Sequence, residues 1–240
     1  FNQKEICSQK ETRCQIQKAQ IEKMTWMDDF TYLLEPIDTS ILPTGDSPVQ
    51  LSNYVDIHTS AKFPQLESAH LVIVGIKESR RSNMPGAMQA PDAIRRKLYS
   101  MFFHGAQTAI ADLGNIAPGD TPEDSDHALK TVVAAMLDHS ITVLVLGGTQ
   151  EMTFANYRAY ETLDTTVNIA VVDSKPDMGE FRETLAPDNY LGKIVIHDPS
   201  YLFNMSLIGY QTYYTEPDML EVFDKLLFDA HRLGEVTADI

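Results

Sequence analysis

At 240 residues, 43% hydrophobic and 22% charged, the chain has the composition of one globular domain with length enough to bury a large core. Its formal net charge of −15 argues against nucleic acid, whose phosphates require a basic surface, and no apolar run approaches the ~20 residues of a membrane span. The opening FNQKEICSQKETRCQ has no apolar signal-peptide core, and Cys7 and Cys14 make no disulfide framework, so a reduced cytoplasmic setting is expected.

Residues 1–27 are expected to lie outside the core. The first 23 are rich in Gln, Lys and Glu with sparse apolar points, and termini are the segments least tied down. Cys7 and Cys14 share one helical face, but two thiols alone are a weak metal signal. Residues 28–240 form the domain. Its lead-in, 28–68, carries Pro36, Pro43, Pro48 and Pro64 among short apolar pieces and predicts an irregular wrap. A first strand is predicted at 70–76, followed by a polar loop and a helix opening at Pro91, a residue suited to the first turn. The stretch 110–116 predicts the next strand. At Thr121-Pro122-Glu123-Asp124 a capping Thr, a first-turn Pro and two acids at the positive end of the helix dipole predict a helix start. Leu129, Val132, Val133, Met136 and Leu137 form its apolar stripe.

Residues 141–146 and 167–172 are short β-branched-rich runs, the pattern of parallel strands buried on both faces. Between them 151–163 has helical spacing, with Met152, Tyr157 and Tyr160 inward, which makes a right-handed strand–helix–strand crossover. Each run ends in a polar loop, Gly147-Gly148-Thr149-Gln150-Glu151 and Asp173-Ser174-Lys175-Pro176-Asp177. Ligands of open parallel sheets sit outside the carboxyl ends of the strands, so Gln150, Asp173, Lys175 and Asp177 should cluster at one end of the sheet. Farther on, 193–196 (KIVI) and 207–211 predict strands. Thr215-Glu216-Pro217-Asp218 caps a last helix, with Met219, Leu220, Val222, Phe223, Leu226 and Leu227 inward and Gly234 as its stop.

The two central loops resemble those of the arginase/agmatinase/formimidoylglutamase family, the ureohydrolases, which carry Gly-Gly-Asp-His-Ser after one strand and Asp-Ala-His-x-Asp after the next. Gly147 and Gly148 match, while Thr149, Gln150 and Glu151 stand for the Asp, His and Ser. Asp173 and Asp177 match, while Ser174 and Lys175 replace the Ala and the second His. The run 86–95 (GAMQAPDAIR) is similar to the family's Gly-Ala-x-x-Gly-Pro-x-Ala-Ile-Arg signature and reads as a loop-to-helix junction packing on the sheet. The run 110–116 (IADLGNI) resembles its Asp-Leu-Gly-Asp pattern. Ile208-Gly209-Tyr210-Gln211 and 228–234 (FDAHRLG) look like later segments of the divergent formimidoylglutamase-like branch. The family's final Ser-x-Asp-x-Asp motif has no counterpart before Ile240. The resemblance implies a three-layer α/β/α sandwich with a mainly parallel sheet, arginase-like and truncated at its C-terminus. An open strand edge is an association hazard, so either the natural protein is longer or another chain covers that edge, and a homo-oligomer is the partner expected.

In that family paired manganese ions make hydroxide for attack on a guanidinium-like or formimino carbon, which takes hard oxygen ligands and imidazoles. Here Asp173 and Asp177 are metal ligands only if a metal binds at all, and Gly147, Gly148, Gln150, Glu151 and Lys175 mark degenerate positions of the site. Three readings stand open. Lys175, with three donors and no acceptor, substitutes for a cation in an ion pair with the carboxylates. A single weak metal is held by Asp173, Asp177 and other oxygens. Or Lys175 is a base or nucleophile with a depressed pKa, which two nearby carboxylates oppose. No cofactor is expected on the first reading, and manganese if the family site is retained. His231, inside a predicted helix, copies the lost motif as a decoy, and His197 follows a predicted strand. The resemblance implies C–N hydrolysis of a linear amidine, formimidoylglutamate or a guanidino compound. The alternative is a catalytically inactive member that binds a small molecule or a protein through the same cleft, with no nucleic acid or membrane partner.

Overall fold

The computed structural model describes residues 26–43, 47–104, 108–179 and 184–236. The lead-in adds two short strands, β1 (Leu34–Glu35), antiparallel, and β2 (Val55–Ile57), parallel, both hydrogen-bonded to β4 (Ile110–Ile116). β3 (Leu71–Ile76) lies between β4 and β5 (Thr142–Leu146), parallel to both, with Leu71 level with Ile110 and with Thr142. A second sheet holds β6 (Val167–Val172), β7 (Leu202–Tyr210) and β8 (Asp229–Arg232), all parallel.

The helices are α1 (Ala90–Leu98), α2 (Pro122–Asp138), α3 (Met152–Thr162), α4 (Tyr190–Val195), α5 (Pro217–Lys225) and α6 (Leu233–Val236). Alternation along β3 sorts its side chains into two cores. Val72, Val74 and Ile76 pack with Leu129, Val132, Val133 and Met136 of α2 and Met152, Ala155 and Ala159 of α3. Ile73 faces the other way, with Leu146, Tyr99, Leu98 and the lead-in residues Ile37, Ile41 and Val55. The result is three layers, α/β/α, around a mostly parallel sheet. A separate core under the second sheet joins Tyr157 of α3 to Leu191 and Ile194 of α4, Met205 and Leu207 of β7 and Phe223 of α5. Helix α3 therefore feeds both halves.

The start of α2 is a reciprocal cap. Thr121 Oγ1 accepts from the Asp124 amide at 3.2 Å, and Asp124 Oδ2 accepts from the Thr121 amide at 2.8 Å. Replacing Thr121 with alanine is expected to cost ~1 kcal/mol and with serine almost nothing, read as a shift in the urea midpoint.

Several expectations are corrected. Residues 193–196 are not a strand: 193–195 are the end of α4, whose Tyr190, Leu191 and Ile194 are buried, and Ile196 caps it. A four-residue apolar run does not separate a buried helical turn from a strand. The last long helix stops at Lys225. Leu227 takes a left-handed conformation (φ 58°) and is 86% exposed, Leu226 is 42% exposed, and neither faces the core. The chain then forms β8, so His231 lies in a strand opposite Ile208, and Gly234 sits within α6 instead of ending a helix. Strands β5 and β6 are half-exposed, not buried on both faces. Cys7, Cys14 and most of the 1–27 segment fall outside the described residues. Trp26 and Met27 pack against the first core, with the Trp26 ring stacked 3.9 Å from that of His139.

Candidate functional site

The C-terminal ends of β5 and β6 carry the two loops. Gly147 (φ 73°) and Gly148 (φ 70°) both occupy the left-handed region, which glycine enters without a Cβ penalty. Any side chain at Gly147 would meet the Pro91 ring, its Cβ 2.5 Å from Pro91 Cδ. The sharp turn aims the next three residues differently. The Thr149 amide donates to the Glu78 carbonyl at 3.1 Å, and its hydroxyl donates to Glu151 Oε1 at 2.6 Å. Glu151 is fully buried, and burial pushes its carboxyl above the usual carboxylate range. Gln150 alone points outward, donating from Nε2 to Asp177 Oδ2 at 2.5 Å and to the Pro187 carbonyl at 3.0 Å.

In the second loop Asp173 Oδ1 accepts from the Ser174 amide at 2.5 Å and from its hydroxyl at 3.2 Å, so this carboxylate is engaged by its own turn. Lys175 Nζ stands 2.9 Å from Asp177 Oδ1, off the hydrogen-bonding direction, as a charge contact. The two partners differ in environment: the Asp177 side chain is 1% exposed and that of Lys175 47%. Burial accordingly raises the Asp177 carboxyl despite the pull of Lys175 and Gln150, while Asp177 raises the Lys175 ammonium. A depressed Lys175 pKa, the requirement for a lysine base, runs opposite to this. Gln150, Asp173, Lys175 and Asp177 thus meet at one end of the strands. Gln150, Asp173 and Lys175 line a cavity of about 760 Å³ with Gly147, Gly148 and Thr149. Lys175 and Asp177 also border a second cavity of about 480 Å³ whose wall includes Glu216 and Asp218.

The histidines lie elsewhere. His197 follows α4, not a strand, with its ring 5.5 Å from Phe154 and 5.8 Å from Tyr157, and its Nε2 3.5 Å from Glu161 Oε2. His231 is exposed on β8. Among the described residues no group of three His, Cys, Asp or Glu converges as a metal site would require.

A buried network behind the loops was not foreseen from sequence. Arg95 of α1, fully buried, grips Asp112 of β4 with Nε and Nη2 at 2.8 and 2.9 Å, and it reaches Asn115 Oδ1 and the Gly114 carbonyl at 2.6 Å each. The Tyr99 hydroxyl also donates to Asp112. This pins α1 across the sheet and sets Pro91 against Gly147. The available signal was chemical: a charged side chain within an otherwise apolar setting needs an opposite partner.

The arginase family profile matches residues 69–222. The chain belongs to the arginase family. Formimidoylglutamase of Salmonella paratyphi C is 40% identical over 83 residues, covering 34% of this chain and 26% of that protein. Formimidoylglutamase of Salmonella typhi is 32% identical over 103 residues, 41% of this chain and 33% of that protein. Among solved structures, Bacillus subtilis formimidoylglutamase superposes with a TM-score of 0.67 at 19% identity, over 88% of this chain and 67% of that one. Trypanosoma cruzi formiminoglutamase, solved with Mn²⁺, gives 0.64 at 18% identity over 72% and 63%. These likenesses establish the arginase-like fold and a relation to formimidoylglutamases. The chain spans about two thirds or less of the length of these relatives.

Proposed function

We propose that this arginase-family chain does not assemble the manganese pair at the β5 and β6 loops, and that the cleft there binds a small polar molecule with Lys175 as its fixed cation. What carries the reading is Asp177. One of its oxygens is taken by the Gln150 amide at 2.5 Å and the other faces the Lys175 ammonium at 2.9 Å. A divalent ion needs those same lone pairs, and a lysine beside them both repels it and competes for its ligands. Gln150 contributes only a neutral amide, turned nitrogen-first toward Asp177, and Asp173 is bound into its own turn. This donor set does not fit the metal, and it supports no metal-assisted hydrolytic step. Hydrolysis of a linear amidine is the second reading. It is favoured by the relation to formimidoylglutamases and would draw its metal ligands from outside the described residues.

Metal analysis decides between them. The purified protein is expected to carry no stoichiometric manganese, and added manganese should barely move its melting temperature. A tight site would stabilise by ~2.7 kcal/mol at a hundredfold excess over its dissociation constant. The double change Gln150→His with Lys175→His should raise manganese affinity in titration calorimetry. Two manganese ions per unmodified chain would restore the hydrolase.

A further inference from the structure

Two exposed surfaces of this chain complement each other in charge. The first runs from the end of α1 onto the lead-in. The Met101 amide donates to the Leu98 carbonyl at 3.1 Å, and the Phe103 amide to the Val49 carbonyl at 2.8 Å. Phe102 pairs with Gln50 in an antiparallel bridge, and the Tyr54 ring lies 4.9 Å from that of Phe103. Met101 is 60% and Phe102 62% exposed. Residues 47–55 and 93–104 contain no acid, and their exposed fixed charges are Arg96 and Lys97. In a chain with 34 acids against 19 bases this is a local inversion of sign. Aromatics, Met and Arg around an uncharged centre are the composition of a protein contact. The second surface is α5 with the residues at its two ends. Tyr213 before it is 95% exposed, and Leu227 after it stands free of the core. Between them Glu216, Asp218, Glu221 and Asp224 are all exposed, against one base, Lys225, which donates to Glu221 at 3.2 Å.

We infer that the first surface of one copy docks on the second surface of another, head to tail. Phe102 and Tyr54 then meet the apolar ends of the α5 surface, and Arg96 and Lys97 face its acidic strip. Docking like on like would set two cations against two, or four acids against four, and juxtaposed like charges oppose that. The contact is therefore heterologous and extends to a ring or an open row. The net charge of −15 per copy does not forbid it. At physiological salt, charges more than ~8 Å apart are screened, so the facing groups decide. A lipid surface is the poorer occupant, because two exposed cations give an anionic leaflet little hold and the acidic remainder of the chain is repelled. The second surface also reaches the cleft. Tyr214, Glu216 and Asp218 line the cavity of about 480 Å³ that Lys175 and Asp177 border. A docked copy roofs this cavity and brings the partner's Arg96 and the partner's Lys97 to its acidic wall. The site is then shared between two copies, whatever the cleft binds.

Sedimentation velocity at about 0.15 M salt reads this. The unmodified chain should associate reversibly. Phe102→Asp removes the first surface, and Tyr213→Ser with Leu227→Asn removes the second. All three side chains are exposed, and unchanged urea midpoints check that the variants fold. Each variant alone should be monomeric, its dissociation constant raised at least roughly 30-fold. Mixed one to one, the two should form a dimer and nothing larger, because one intact surface of each kind remains. Lys97→Glu and Glu221→Lys repeat the test by charge alone. Each should weaken association roughly tenfold, and their mixture should restore it. An unmodified chain that stays monomeric at about 1 mM overturns the inference. So does association that survives either surface variant, or that is lost in both and not recovered on mixing. Binding of the unmodified chain to phosphatidylserine vesicles in place of self-association, abolished by Phe102→Asp, would assign the first surface to lipid and overturn it equally.

Discussion

Replacing Arg95 with methionine is expected to destabilise the fold by ~3–5 kcal/mol, the cost of stranding a buried charge. Asp112 is 0% exposed, and its two oxygens are met by the Arg95 fork, the Tyr99 hydroxyl and the Gly114 amide. Methionine fills the volume of the arginine stem but leaves the carboxylate with neutral donors only. Adding Asp112→Asn to Arg95→Met should recover part of the loss by removing the charge. Lysine at 95 keeps the charge without the fork and should fall between. Urea unfolding of the four proteins measures this, and a loss below ~1 kcal/mol in Arg95→Met would mean that the pair contributes little beyond its desolvation cost. The variant also bears on the cleft, because α1 carries the Pro91 ring that abuts Gly147.

What could be read from the sequence follows from how local each signal is. IADLGNI became β4 with the expected bounds, and the Thr121 cap opened α2, because a β-branched run and a capping box are decided by a few adjacent residues. The meeting of Gln150, Asp173, Lys175 and Asp177 was legible too, since strand ends of a parallel sheet share an edge. The failures have non-local causes. The first three residues of KIVI are helical because the core under β7 accepts Leu191 and Ile194 from one helix face, which the four letters do not reveal. Leu227 breaks the last helix in a conformation usually left to glycine. The same apolar letters serve an interior strand and an open edge, so the division into two sheets was invisible. Glu151 holds a family-site position yet turns away from the cleft, a direction set by the two left-handed glycines before it.

Acid should remove ~2–3 kcal/mol of stability through Glu78 alone. Burial on its own would raise this carboxyl, but hydrogen bonds from the Arg80 guanidinium and amide and the nearby Ser125 hydroxyl hold it down at about 2, against an ordinary value of 4.5. Oε1 accepts from the Arg80 amide at 2.8 Å and Nε at 3.0 Å, and Oε2 from Nη2 at 2.5 Å. A native pKa below the unfolded one means that the unfolded chain takes up the proton first, so stability falls as pH drops. The contribution is therefore full above pH 4.5 and is lost as pH falls toward about 2. A shift of that size corresponds to ~3 kcal/mol, reduced somewhat because Arg80 is partly exposed to solvent. Asp56, Glu123 and Asp124 are also lowered, so the whole protein will lose stability with acid, and the informative quantity is a difference. Glu78→Gln should be less stable than the parent at pH 7, and the gap between them should narrow as pH falls through this window. Denaturant unfolding at half-unit steps of pH measures it, and a gap that stays constant from pH 7 to about 2 would show that Glu78 titrates alike in the folded and unfolded chains.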